Sequence, residues 1–283
     1  KSLISSSDLM SVVDVSIIIV HTFEKRLVRQ TLRGIRRAAP QLNYEIVIVD
    51  NNPDAGLYNV LREQFFDVKY VPMSRNMGFG AGMNAGIRAS KGRYVLIFNP
   101  DIVVAPGSLE AMTSFMDANP DVGVCGPKLK NPDGTLQHSC FRQPTVLLPI
   151  YRRTPVGMLN FAKKVVDEYL MVNENHQETM DVDALIGAAL FARREVLEEI
   201  GLFDERFFMY YEDTDLCRRF WEFGKRVVYY PKAEMVHYHR RASADGGLLR
   251  QLLSRFAWIH IHSALKYHKK YYGVSDPRLN EGG

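Results

Sequence analysis

Cysteine is scarce in this sequence, with three residues in 283: Cys125, Cys140 and Cys217, scattered and without a Cys-X-X-Cys pair. That spacing excludes a disulfide framework and a cysteine zinc knot, and a reducing compartment is the simplest reading. Long apolar runs are missing as well. No stretch reaches the roughly 18–20 uninterrupted apolar residues that a spanning helix needs, and Lys1 to Met10 lacks the apolar middle of a secretory signal. A cytoplasmic protein is therefore expected, with the first nine residues read as a tag remnant or disordered arm and set apart from the fold. No GxGxxG fingerprint and no Walker motif occurs, which counts against dinucleotide oxidoreductases and P-loop enzymes. Basic runs of the kind that grip nucleic acid are absent, so no nucleic-acid partner is expected.

What is present is an ordinary globular composition, 46% hydrophobic and 24% charged, long enough to bury a sizeable core. One large α/β domain with a helical appendage fits better than two full domains. The net charge of +4 suits a protein that handles anionic ligands or touches an anionic surface.

From Val15 to Asn99, short β-branched runs alternate with stretches of helical spacing, the pattern of successive βαβ units and a parallel sheet. Strands are expected at Val15–Val20, Tyr44–Val49, Val68–Val71 and Tyr94–Phe98, with helices at Lys25–Ala39, Ala55–Phe66 and Gly80–Ser90 between them. Right-handed crossovers place the loops, and any ligand, at the carboxyl edge of that sheet. Pro106–Asn119 reads as a helix and Val122–Leu129 as a strand. Asn131–Met180 is interrupted by proline, shows no clean period, and is expected to be a variable, partly mobile region over the active edge. Regularity returns with a strand at Val182–Ala192, helices at Arg194–Ile200 and Thr214–Phe223, a strand at Arg226–Tyr230, and a long helix from Leu248 to Tyr272.

Several polar groups fall where strands leave the sheet. Tyr94–Phe98 runs into Asn99-Pro100-Asp101, which offers a carboxylate to a divalent cation, the natural stabiliser of a leaving diphosphate; turn chemistry alone is the alternative. Asp50 ends the second strand and can accept a hydrogen bond from a base or ribose, or can simply cap a turn. Ser74 to Gly82 supplies small residues at a helix start, with Arg75 adding charge. Tyr210-Tyr211-Glu212-Asp213-Thr214-Asp215 gathers three carboxylates at another helix start, where negative charge is favoured in any case. The aromatic run Phe207, Phe208, Tyr210, Tyr211 before it reads as a sugar-binding wall, and a carboxylate beside it is a candidate base. His237-Tyr238-His239-Arg240-Arg241 looks like a cation and diphosphate clamp, with either histidine as the inward one.

Together these residues resemble glycosyltransferase family 2, and within it the bacterial rhamnosyltransferase-like branch, over nearly all of Val15–Ser243. The resemblance implies an α/β GT-A fold: a mostly parallel, Rossmann-like central sheet with flanking helices and a C-terminal helical extension. It divides the chain into a catalytic domain at residues 10–243 and an extension at 244–283. The nucleotide-binding half covers about 10–130 and the acceptor half about 131–243. It implies an inverting, metal-dependent transfer of a sugar from a nucleotide diphosphate donor to a hydroxyl of a cell-surface glycan or lipid-linked acceptor. On that resemblance Thr22, Glu24, Asp50, Asn51, Arg75, Asn76, Gly80, Asn99 and Asp101 contact the donor. Gly187, Ala188, Tyr211 and Glu212 face the acceptor, and Asp213 is the base. Asp101 and His237, with His239 in reserve, hold Mg2+ or Mn2+. Asn-Pro-Asp departs from the family's DxD motif by replacing the first aspartate, which leaves Asn99 a neutral contact and weakens the expected metal dependence. The donor implied is dTDP-rhamnose, with UDP-sugars left open. An ordinary aspartate titrates near about 3.9, so Asp213 is expected to be ionised at neutral pH.

The closing helical pattern mixes Trp258, Tyr267, Tyr271 and Tyr272 with Arg255, Lys266, Lys269 and Lys270. It fits a helix packed on the catalytic domain or at a homo-oligomer contact, with a peripheral contact to the cytoplasmic face of the membrane as the rival reading. Two rival functions stand beside transfer. A sugar nucleotidyltransferase needs a Gly-rich, Lys/Arg-bearing loop after the first strand, where this chain has His21-Thr22-Phe23-Glu24. A non-catalytic glycan- or nucleotide-binding protein of the same fold has no need of a base.

Overall fold

Seven consecutive residues with no solvent contact to speak of, Val15–His21, form the central strand β1. A run buried on both faces needs strands on either side and helices above and below. The computed structural model, which describes residues 12–238 and 255–278, supplies them. In chain order the elements are α1 (Lys25–Ala38), β2 (Tyr44–Asp50), α2 (Leu57–Gln64), β3 (Lys69–Pro72), α3 (Phe79–Arg88), β4 (Tyr94–Phe98), β5 (Ile102–Val104), α4 (Ser108–Ala118) and β6 (Val122–Lys130). There follow β7 (Leu136–Gln137), β8 (Cys140–Phe141), α5 (Leu148–Arg153), α6 (Asn160–Tyr169), β9 (Met180–Asp181), β10 (Ala184–Leu185), β11 (Ala189–Arg193), α7 (Arg194–Glu199), α8 (Glu212–Glu222), β12 (Arg226–His237) and α9 (Arg255–Lys270).

Among the described residues the main sheet runs β3-β2-β1-β4-β11-β6-β12-β5, with β7 on β6 and β9 on β12. β1 is parallel to β2 and β4, and β2 to β3. The sheet carries one apolar core on each face. One is formed with α1, α2 and α4 around Ile17, Ile19, Leu32 and Met112, the other with α3, α7 and α8 around Ile18, Met83, Leu197 and Phe220. Each fully buried Ile or Leu contributes roughly 1.5–3 kcal/mol of transfer free energy.

The expected alternation of strands and helices up to β6 matches this architecture, and three later expectations need correction. Asn131–Met180 is not an irregular stretch. It holds β7, β8, α5, a 3-10 turn at Pro155–Met158, and α6. These elements are too short to show a period, and prolines open α5 and the 3-10 turn. The expected strand Val182–Ala192 is two strands. β10 pairs with β8 in a separate two-stranded sheet, and β11 enters the main sheet antiparallel between β4 and β6. Ile186-Gly187-Ala188 bends between them, invisible in the sequence because both pieces are buried on both sides. The strand expected at Arg226–Tyr230 runs on to His237, with its pairing to β6 shifting register between Tyr230 and Glu234. Pro231, which cannot donate to a ladder, sits in that irregularity. The first nine residues, His239 to Ser243 and the start of the helix expected from Leu248 lie outside the described residues.

Candidate active site

The parallel strands β1, β2 and β4 end side by side, and their exits carry the polar groups. Register pairs His21 directly with Asp50. His21 Nδ1 donates to Asp50 Oδ1 at 2.7 Å, the Asn52 amide donates to the same oxygen at 2.9 Å, and Tyr70 donates to Oδ2 at 2.9 Å. Burial alone raises the Asp50 carboxyl, but these hydrogen bonds outweigh it and hold it below the usual carboxylate range. Asp50 is thus fully buried and engaged on both oxygens, so it organises the loop rather than presenting an open carboxylate. Asn52 Nδ2 donates to the Thr22 carbonyl at 3.1 Å, tying the β1 and β2 exits together. Glu24 is exposed at the start of α1.

Asn51 is buried and donates through Nδ2 to the Gly78 carbonyl at 3.0 Å, so the second exit also fixes the Gly-rich loop. Gly78 is a residue that cannot be replaced cheaply. Its φ is +95°, and a Cβ would lie 2.4 Å from the Phe208 carbonyl oxygen. Asn76 Oδ1 accepts from the Gly78 amide at 2.9 Å, and Arg75 is exposed beside it, its Nε donating to Met77 Sδ at 3.2 Å. Gly80 packs on Phe203.

Asn99-Pro100-Asp101 leaves β4, and β12 returns antiparallel to β5 with His237 opposite Ile102. His237 Nε2 lies 3.2 Å from Asp101 Oδ1. Gln137 Oε1 accepts from His237 Nδ1 at 3.1 Å, which leaves Nε2 on the side of Asp101. Asp101 Oδ1 is a buried oxygen with no hydrogen-bond donor. A ring nitrogen and a carboxylate oxygen at this spacing form a histidine–carboxylate pair, and the same two atoms could also serve as two ligands of one cation. With O and N ligands each about 2.1 Å from an octahedral ion, adjacent ligands stand about 3 Å apart. The pair could therefore supply two ligands to a divalent cation. Among the described residues no third His, Cys, Asp or Glu joins it.

Asp213 opens α8 and is joined to this exit through the bend between β10 and β11. The Asn99 amide donates to the Ala188 carbonyl at 2.9 Å, and the Gly187 amide donates to Asp213 Oδ2 at 2.8 Å. The Thr214 amide donates to Oδ1 at 2.7 Å. Burial pushes the Asp213 carboxyl above its ordinary value, partly offset by the hydrogen bonds from Gly187 and Thr214. That corrects the expectation of an ordinary aspartate: a carboxylate with a raised pKa is a stronger base and a better match to an alcohol proton at neutral pH. Glu212 is buried with Oε2 lacking a partner, and burial followed by the charge of Asp213 holds its carboxyl well above the usual range. Two adjacent buried carboxyls, both displaced upward, make this helix start a candidate reactive site. Asp213 is the residue of the pair with the fixed orientation.

The aromatic run before α8 is only in part a wall. Phe207 and Tyr211 are buried and pack with Ala264 and Tyr267 of α9. Tyr210 and Tyr211 both have φ near +67°, an uncommon conformation for residues with side chains, so the turn presenting Glu212 and Asp213 is held under strain. What holds it was not visible in the motifs. Asp215, fully buried, accepts from Arg219 Nε at 2.8 Å, from Tyr271 at 2.8 Å and from Lys270. Ser263 donates to the Met209 carbonyl at 2.8 Å, and Tyr267 to Gln143 at 2.7 Å. The C-terminal helix is thereby packed on the catalytic domain. Gln137, His21, Tyr70, Lys270 and Tyr271 are the site residues that the motifs missed. Aligning the ends of neighbouring strands would have paired His21 with Asp50, but the other contacts are purely tertiary.

The chain is similar in sequence and in fold to known proteins. The model of the family described as glycosyl transferase family 2 matches residues 16–201. The N-acetylglucosaminyl-diphospho-decaprenol L-rhamnosyltransferase of Mycobacterium tuberculosis is 30% identical over 213 residues, covering 68% of this chain and 66% of that protein. The dTDP-rhamnosyl transferase RfbF of Shigella flexneri is 26% identical over 211 residues, covering 74% of this chain and 64% of that protein. The chain thus spans about two thirds of the length of these relatives. Among solved structures, GalNAc-T7 with UDP, GalNAc and Mn2+ superposes with a TM-score of 0.66 at 14% identity, covering 94% of this chain and 49% of that one. A likeness at that identity is one of fold, and the fold is GT-A.

Proposed function

This chain belongs to glycosyltransferase family 2, and from that premise we propose that it transfers a sugar, with inversion, from a nucleotide diphosphate donor to an alcohol of a cell-surface glycan or lipid-linked acceptor. Rhamnose carried on dTDP is the donor that the names of the relatives favour, and a prenyl-diphosphate glycan the acceptor. The observation that carries the reading is the short path from the metal-competent pair to the base: Asp101 is two residues from Asn99, Asn99 bonds to Ala188, and Gly187 bonds to Asp213. Two hydrogen bonds thus fix the group that would hold the leaving diphosphate relative to the group that would take the acceptor proton.

In this mechanism Asp213 accepts the proton of the attacking hydroxyl, and the Gly187 and Thr214 amides keep its oxygens aimed. The raised Glu212 carboxyl disfavours a second negative charge beside the base. Asp101 and His237 would hold Mg2+ or Mn2+, which supplies charge neutralisation for the departing diphosphate. Arg75, Asn76 and the Gly78–Gly80 backbone stand at the helix start that suits the donor phosphates. Inversion follows from a single in-line displacement: the acceptor oxygen, giving its proton to Asp213, bonds to the anomeric carbon as the bond to the nucleotide diphosphate breaks on the opposite face, with no side chain as a covalent carrier.

Calorimetric titration with a panel of nucleotide sugars, with and without divalent cation, tests the reading. One dTDP- or UDP-sugar should bind in a cation-dependent way, and Asp101→Asn should weaken that binding by about tenfold or more, the loss expected of one charged ligand. Identical titrations with and without cation would remove Asp101 and His237 from a metal site. Release of pyrophosphate from a nucleoside triphosphate and a sugar phosphate would instead assign a nucleotidyltransferase.

A further inference from the structure

From Gly134 to Val166 the sequence carries five basic residues, Arg142, Arg152, Arg153, Lys163 and Lys164, and no acidic one. The same stretch concentrates exposed apolar surface. Of the twenty exposed large apolar side chains among the described residues, seven lie between Val146 and Phe161. Met158 is 83% exposed, Phe161 58%, Leu159 52% and Ile150 47%. These positions are not loosely held. Leu148 and Ala162 point inward and are buried, the Tyr151 and Phe161 rings meet edge to face at 6.0 Å, and Tyr169 at the end of α6 stacks on Phe141 at 5.1 Å. An inward apolar face is thus already satisfied, and a second apolar face is turned to solvent.

The platform is tied to the catalytic residues. β8, just before it, pairs with β10, which leads into Gly187. Gln143 accepts from Tyr267, whose ring lies 5.4 Å from that of Tyr211. Arg152 sits over the Tyr169 ring at 5.6 Å, and Tyr169 is within electrostatic reach of Asp213.

We propose that the face formed by α5, the Pro155–Met158 turn and α6 docks on an anionic lipid bilayer, its apolar side chains entering the headgroup boundary while the basic side chains meet lipid phosphates. Protruding single side chains flanked by cations suit a soft interface better than a groove would. A second copy is disfavoured by charge, because a two-fold contact through this face sets Arg152, Lys163 and Lys164 against their own counterparts. Asp167 and Glu168 pair with Lys163 and Lys164, but exposed i,i+4 pairs of this kind are weak and yield readily to phosphate. Docking here holds the part of the fold that carries Asp213 at the membrane surface. The inference goes beyond the transfer reaction, and its test reads lipid binding without turnover, so the two fail separately.

The experiment is cosedimentation of the full chain with phosphatidylcholine vesicles, with and without phosphatidylglycerol. Pelleting is expected with the anionic vesicles and should weaken at 1 M salt, where the screening length falls to about 3 Å. Ile150→Glu, Met158→Glu and Phe161→Glu combined should reduce partitioning by about tenfold or more. Because all three sites are exposed, circular dichroism and melting should be unchanged. Trp258→Glu, on the exposed side of α9, should pellet like the parent. The proposal is overturned if the parent does not pellet with anionic vesicles, if the triple variant pellets like the parent, or if Trp258→Glu alone abolishes binding. It is equally overturned if the triple variant loses a dimer seen by ultracentrifugation and no lipid binding exists.

Discussion

A methyl group added at Gly187 probes the orientation of the base more finely than removing the base does. The Cβ of an alanine there would lie 3.2 Å from Asp213 Cβ and 3.3 Å from Asp213 Oδ2. Ordinary van der Waals contact is roughly 3.5–4.0 Å, so one partner must give way by a few tenths of an ångström. The α8 backbone is poorly placed to yield, because Asp215 is locked by Arg219, Lys270 and Tyr271. The Asp213 side chain rotates instead, and the 2.8 Å bond from the Gly187 amide is lost. A hydrogen bond to a charged group is worth about 1.5–3 kcal/mol, so kcat for Gly187→Ala should fall about ten- to hundredfold. Donor affinity by calorimetry should stay within about twofold of the parent, since no donor contact is touched. Losing the Gly187 bond also removes an influence that lowers the Asp213 pKa, so the acid limb of the rate profile should move to higher pH. A variant with unchanged fold, parental kcat and an unmoved acid limb would refute the assigned role of Gly187.

Other consequences follow from the same contacts. Gly34 lies inside α1 with open space where a Cβ would stand; Gly34→Ala should stabilise the protein by about 0.5–1 kcal/mol, measured by urea unfolding. Asp50 has a depressed folded-state pKa, so its contribution is complete above the ordinary carboxylate value and is lost as pH falls through the lower folded value. Asp50→Asn should therefore cost roughly 1.5–3 kcal/mol at neutral pH and flatten the loss of stability in acid, followed by denaturation at a series of pH values; a variant with the parental acid slope would contradict this.

The first half of the chain was legible because β1, β2 and β4 are continuous β-branched runs and α1 has a clear apolar stripe. Their ends agree with expectation to within about one residue. Outside these elements the signals weaken for identifiable reasons. β5 is three residues long and exists through its pairing with β12, which no local pattern encodes. The bend at Gly187 hides inside an apolar run because β10 and β11 are each buried. α5 and α6 carry apolar residues on their outer faces as well as inner ones, which blurs the period that reveals a helix.

The site shows the same division. Asn99-Pro100-Asp101 and Glu212-Asp213 were visible as carboxylates at strand and helix ends, and the structure brings both exits to one edge. Tyr211 was read as part of an open wall, yet it is buried against α9, a contact between segments more than fifty residues apart. The locking of Asp215 by Lys270 and Tyr271 is equally long-range. Such pairs depend on which surfaces the fold presents to each other, and single-sequence spacing does not carry that information.

The central claim is that Asp213 acts on the acceptor while Asp101 and His237 serve the donor, and parallel measurement of kcat and donor affinity for Asp213→Asn addresses it most directly. The expected result is donor binding within about twofold of the parent and a kcat lowered by about 10² to 10⁴, the range contributed by a positioned general base. Near-parental turnover, or a loss of donor binding that accounts for the whole defect, would contradict the assignment.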